Sequence, residues 1–147
     1  MGEVELWPEA SVWPGAVLRG DPGGIVVGAA TSIQDGTVIH TTPVTPTRIG
    51  SECVVGHLVH LEGCTIGDRS LVGSGAIVLN GAVVEDDAQV AAGAVVSGSM
   101  VVPAHALAIG VPATIKPDRA SPDAIRIAIE VYRERGRTYR EQLRRLD

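Results

Sequence analysis

Phenylalanine is absent from this 147-residue chain, and all aromatics together make up 3% of it, although 45% of its residues are hydrophobic. A conventional core of this size uses more rings than that. Val, Ile and Ala are left to fill the interior, beside 18 glycines, and they point to a narrow, regular one. Cysteine is scarce as well. Cys53 and Cys64 give no disulfide framework, and both are read as reduced packing residues of a cytoplasmic protein. No run of about 18 apolar residues occurs, which excludes a membrane-spanning helix. Met1-Gly2-Glu3 is followed by no apolar core of a signal peptide. Positive charge is outweighed, with a net charge of -5, which argues against nucleic acid as a partner. The length fits one domain.

What is present is a repeat. Branched aliphatics recur every six residues: Leu6, Val12, Leu18, then Val27, Ile33, Ile39, then Ile49, Val55, Leu61. One residue is then missing, and the series resumes at Ile66 and runs through Val72, Val78, Val84, Val90 and Val96 to Val102. Four places after the aliphatic the residue is usually small, as at Ala10, Ala16, Thr31, Thr37, Cys53, Thr65, Ser70, Ala76, Ala82, Ala88 and Ala94. Glycine often follows the aliphatic directly. Each hexad reads as a short strand and a turn, with the aliphatic pointing inward. Three hexads form one triangular coil, and coils stack at the strand spacing of about 4.8 Å. A sandwich, with strands every 8–12 residues or so, does not fit this period. The reading is a mainly β protein, a parallel β-helix of hexapeptide repeats with a C-terminal α-helix; the left hand of the winding comes from hexapeptide-repeat proteins as a class.

Two interruptions are read as loops, Pro22-Gly23-Gly24 and Thr41 to Arg48, and the repeat fades after Val102. Ser121-Pro122-Asp123 has the form of a helix start. Ile125, Ile129, Tyr132, Tyr139, Leu143 and Leu146 form one helical stripe, expected to pack on the prism, with Gly136 as a weak point. Arginines 133, 135, 137, 140, 144 and 145 are read as a solvated helix face. The expected organisation is a β-helix over 1–118 and the helix over 119–147.

The histidines carry the chemistry. His40 follows inward Ile39 and therefore points outward. Three hexads further on the equivalent residue is Glu62, so the two stack on one face in adjacent coils. His57 belongs to a different hexad and face. One copy does not easily bring all three together, whereas a trimer of prisms joins different faces of neighbours. The set then suits Zn2+ or another divalent ion such as Fe2+ or Co2+, with positions left open. His60 is the alternative third ligand, although it stacks over Val38 and not over His40.

At this point the sequence resembles the gamma-class carbonic anhydrases. The resemblance covers roughly residues 2–118 and rests on Trp13-Pro-Gly-Ala-Val-Leu-Arg-Gly-Asp21, Ile33-Gln-Asp-Gly-Thr-Val-Ile-His40, Val55-Gly-His57, Gly63-Cys64-Thr-Ile-Gly67 and Gly73-Ser-Gly-Ala-Ile-Val78. It implies a homotrimer with a metal at each interface held by three histidines. His40 and His57 match two of them, and Glu62 stands where the family has the third. It further implies interconversion of CO2 and bicarbonate, with Gln34 positioning water and bicarbonate and with Arg19, Asp21 and Asp35 tying subunits together. Ser32 stands where the family often has Asn, and Tyr139 matches a C-terminal tyrosine that approaches the site. The acidic proton-shuttle residues of the family have no counterpart, and its first coil is missing or reduced. Because Glu62 lowers the charge of the centre by one, weak activity is expected. The competing readings are an acyl-CoA-dependent acyltransferase, with His105 as the spare candidate base, and a non-catalytic metal-binding scaffold.

Overall fold

A β-branched residue suits a half-pleated, packed position, and a small residue beside it leaves room for a sharp corner. In the computed structural model, which describes residues 1–144, that local preference is realised hexad after hexad. The chain winds as a left-handed parallel β-helix with three faces. The first face stacks Gly2–Leu6, the end of Val17–Val27, Thr47–Ile49, Thr65–Ile66, Val83–Val84 and Val101–Val102. The second stacks Ser11–Val12, Ser32–Ile33, Val54–Val55, Leu71–Val72, Gln89–Val90 and Leu107–Ile109. The third stacks the start of Val17–Val27, Val38–His40, His60–Glu62, Ile77–Val78 and Val95–Val96.

The inward aliphatics from Val27 to Val102 are buried and form one continuous core. Burying each contributes roughly 1.5–3 kcal/mol. In the first coil of the described residues the same positions are open: Leu6 is 49% exposed and Val12 42%. Most corners share one form. Three places after the inward aliphatic, the backbone enters the left-handed region, with φ 61° at Glu9, 56° at Leu58, 52° at Arg69 and 61° at His105. Glycines 15, 36, 75, 81 and 93 take the same place. Cys53 and Cys64 are free and buried, and burial pushes each thiol up to about 12.

The structure corrects several expectations. Pro22-Gly23-Gly24 lie inside the continuous Val17–Val27 strand and not in a loop. The first strand pairs Gly2 with Gly20 but Val4 with Ile25, so the extra residues are absorbed as a bulge against it. At the missing residue, Cys64 and not Thr65 takes the small inward place. Cys64 is 1% exposed while Thr65 faces out, because Gly63 turns the corner one residue early with φ 53°. The repeat also continues beyond Val102. Ala108, six residues on, is fully buried in the Leu107–Ile109 strand, and antiparallel Thr114–Lys116 then closes the end. An alanine in place of an aliphatic hid that hexad.

The helix runs over Pro122–Gln142, with the Ser121 hydroxyl accepting from the Ala124 amide. Gly136 does not break it. It sits against Ser11, where a Cβ would come within 3.7 Å of the serine Cβ. Ile125 is buried, whereas Tyr139 is 45% and Leu143 72% exposed, so only the first part of the stripe is fully used. Arg133 and Arg137, one turn apart, both bind the Glu9 carboxylate and are therefore more than a solvated face. Arg145 and Leu146 lie outside the described residues. No helix among those residues is long and apolar enough to cross a membrane.

Candidate metal centre

Strand alternation sends every second side chain of the third face outward, and stacking sorts them into columns. One column is Arg19, His40, Glu62 in direct register. The other is Val17, Val38, His60, Ile77, Val95. His40 Nδ1 lies 4.0 Å from Glu62 Oε1. His60 Nε2 donates to Glu62 Oε2 at 3.4 Å. Both histidines and Glu62 are partly exposed. The strand ends are pinned by Thr47, a fully buried residue that sequence reasoning passed over. Its hydroxyl donates to the His40 carbonyl at 2.6 Å and accepts from the Gly63 amide at 2.9 Å. The signal in the sequence is its place two residues before inward Ile49, the small-residue place that Thr31 holds before Ile33 and Cys53 before Val55.

His57 occupies the corner between the second and third faces. Its Nδ1 donates to Asp35 Oδ2 at 3.1 Å. In the neutral ring that bond places the proton on Nδ1 and leaves the Nε2 lone pair available. Asp35 and His57 hold equivalent places after Ile33 and Val55, which pair in register. Counting hexads from Ile33 would have revealed this contact. The expected link of Asp35 with Arg19 and Asp21 concerns a second copy; within one chain Asp35 takes His57 as its partner. Arg19 and Asp21 are exposed, and Gln34 is buried at 2% exposure beside Asp35.

His40 and Glu62 thus sit where the chain leaves the third face, and His57 where it enters. Among the described residues of one chain, no three His, Cys, Asp or Glu side chains are grouped so as to hold a metal ion. The donors on offer, two imidazoles and a carboxylate, suit a borderline divalent ion in their chemistry.

The second face differs. The helix lies on its Ser32–Ile33 and Val54–Val55 strands. Trp13 stands edge-on to Tyr132 at 5.8 Å and to Tyr139 at 5.3 Å. The Trp13 indole donates to Ser32 Oγ at 2.9 Å. Tyr139, Trp13, Asp35 and His57 share one groove of about 860 Å³ between helix and prism. His105 is an exposed corner residue whose left-handed backbone is the one the fold demands at that place.

The architecture defines the class: a hexapeptide-repeat β-helix, and the family model described as "Bacterial transferase hexapeptide (six repeats)" matches residues 46–80 and 63–98. A probable carbonic anhydrase of Methanocaldococcus jannaschii is 47% identical over 115 residues, covering 78% of this chain and 72% of that protein. A carbonic anhydrase of Geobacillus kaustophilus is 36% identical over 142 residues, covering 95% and 78%. Gamma carbonic anhydrase 2, mitochondrial, of Arabidopsis thaliana is 42% identical over 85 residues, covering 54% and 31%. The chain belongs to the gamma-class carbonic anhydrase family of hexapeptide-repeat proteins. It spans 47% or less of the length of several other curated relatives that it matches. Among solved structures, a putative acetyltransferase of Bacillus cereus superposes with a TM-score of 0.92 at 30% identity, covering 97% of this chain and 84% of that one.

Proposed function

We propose that the chain interconverts CO2 and bicarbonate as a gamma-type carbonic anhydrase, at a divalent metal held between neighbouring copies of a homotrimer. The observation that supports it most is the split donor set: His40 in register with Glu62 at one edge of the third face, and His57 with a free Nε2 at the other. In this reading His40 and Glu62 of one copy and His57 of the next hold the ion, Zn2+ by donor chemistry, with Fe2+ or Co2+ as alternatives. The ion would supply Lewis acidity toward water. Asp35 fixes the tautomer and orientation of His57. The Gln34 amide hydrogen-bonds the bicarbonate oxygens, while Arg19 and Asp21 tie copies together. The outward Val17, 47% exposed, and Val38, 38% exposed, supply apolar surface for that contact. Glu62 makes the centre less positive than three imidazoles would, so the expected rate is low.

Acyl transfer is the second reading, supported by what the Bacillus cereus relative is named for. The turn geometry of His105 gives it a structural reason to be where it is, and the identity to named carbonic anhydrases favours the first reading. The deciding test is stopped-flow CO2 hydration with protein stripped by chelator and reloaded with Zn2+ or Co2+. A slow, metal-dependent rate is expected. Bound metal with no rate above background would leave a non-catalytic metal-binding scaffold instead.

A further inference from the structure

The outward column that runs through Val17, Val38, Ile77 and Val95 is aliphatic in every coil of the third face but one. The exception is His60, and it lies in the coil where the neighbouring column carries a carboxylate. The backbone of His60 is held on both sides, paired with Val38 below and Ile77 above, with its amide donating to Ala76 O at 3.0 Å. Its ring reaches Glu62 Oε2 with Nε2 at 3.4 Å, while Oε1 of the same carboxylate faces His40. A glutamate side chain left alone loses substantial rotamer freedom when it is ordered. A fixed donor on one oxygen removes most of that cost in advance.

We propose that His60 is a positioning residue that holds Glu62 by one oxygen so that the other alone is presented beside His40 for the metal. The assignment rests on the metal-site reading above and deepens it. His60 is then not a ligand; it acts on the ion through Glu62, as hydrogen-bond partners of ligating carboxylates do. A flexible carboxylate needs such a support more than a stiffer imidazole would.

The test is Co2+ titration of chelator-stripped full-length protein, followed by the visible d–d spectrum. His60→Ala should weaken Co2+ binding about 10- to 100-fold, with the band positions of the saturated protein unchanged, because no ligand is lost. His60→Gln, whose amide can donate to the same oxygen, should recover affinity to within a few-fold of the original chain. Unchanged affinity in His60→Ala overturns the proposal. So does a shifted spectrum in both variants without rescue by Gln, which would make His60 a ligand. If the unsubstituted chain binds no Co2+, the metal-site reading itself falls and takes this one with it. His60 is outward and partly exposed, and matching circular dichroism of the variants verifies that the fold is intact.

Discussion

The second and third faces of the prism are built from the same inward residues and finished in opposite ways. Outward Val54 on the second face is 4% exposed, while outward Val38, in the same place on the third, is 38% exposed. The chain spends its few aromatics on the second face, where both tyrosines and one of two tryptophans meet. The third receives a column of Arg, His and Glu beside aliphatics. The repeat fixes what points inward and says nothing about what points outward. One face is covered by the chain's own helix, while the other keeps its outward columns open, and the proposed homotrimer would use that open face.

The sharpest way to probe that contrast is to change neighbouring residues of one strand. Ile39→Ala removes a fully buried side chain and should cost about 2–5 kcal/mol in chemical denaturation. Val38→Glu, one residue away and outward, should leave the fold of a single chain within roughly 0.5 kcal/mol. It should nevertheless reduce the mass seen by light scattering from three chains to one. An unsubstituted chain that runs as a single copy at micromolar concentration would remove the homotrimer from the reading.

An intermediate effect is expected at the outward polar column. Glu62→His leaves the backbone register untouched and gives the centre one more unit of positive charge. CO2 hydration at neutral pH should rise, by at most about tenfold for each unit that the titration midpoint of the pH–rate profile falls while it stays above the assay pH. An unchanged rate and midpoint in a fully metal-loaded variant would show that Glu62 does not face the ion.

The smallest effect belongs to the second face. The hydrogen bond from Arg133, joined by that from Arg137, holds the Glu9 carboxyl down to about 2, against its ordinary 4.5. A carboxyl lowered in the folded state stabilises above its ordinary value and loses that contribution as pH falls through its folded value. Between pH 4.5 and 2 the helix should therefore loosen modestly from the prism. Amide exchange in residues 130–142 should accelerate there more than in 76–98, once corrected for intrinsic rates. In Glu9→Gln the extra acceleration should be gone.

Much of this was legible beforehand, for a reason that also marks the limit. A six-residue period is a strong constraint wherever the inward residue is a branched aliphatic, and counting it sets His40 opposite Glu62, as the strand register does. It failed where the constraint weakened. Ala108 is as fully buried as Val102 yet does not look like a repeat residue. The residue missing after Glu62 moved the corner to Gly63 and so moved the small inward place to Cys64. Contacts between distant elements left no periodic trace. Glu9 with Arg133 is separated by 124 positions, and only packing joins them.

The corners have a consequence of another kind. The left-handed place holds Glu9, Glu52, Leu58, Arg69, Asp87, Ser99 and His105, besides glycines and Ala30. No Val, Ile or Thr stands there, although these residues fill the strand place two positions later at Val17, Val38, Ile77, Val83, Val95 and Val101. A chain threaded two residues out of step would force those branched side chains through the corners, where an L-residue already costs about 1–2 kcal/mol and a branched one more. The corner is thus an error check, repeated around the winding, that penalises a monotonous sequence set two residues out of step.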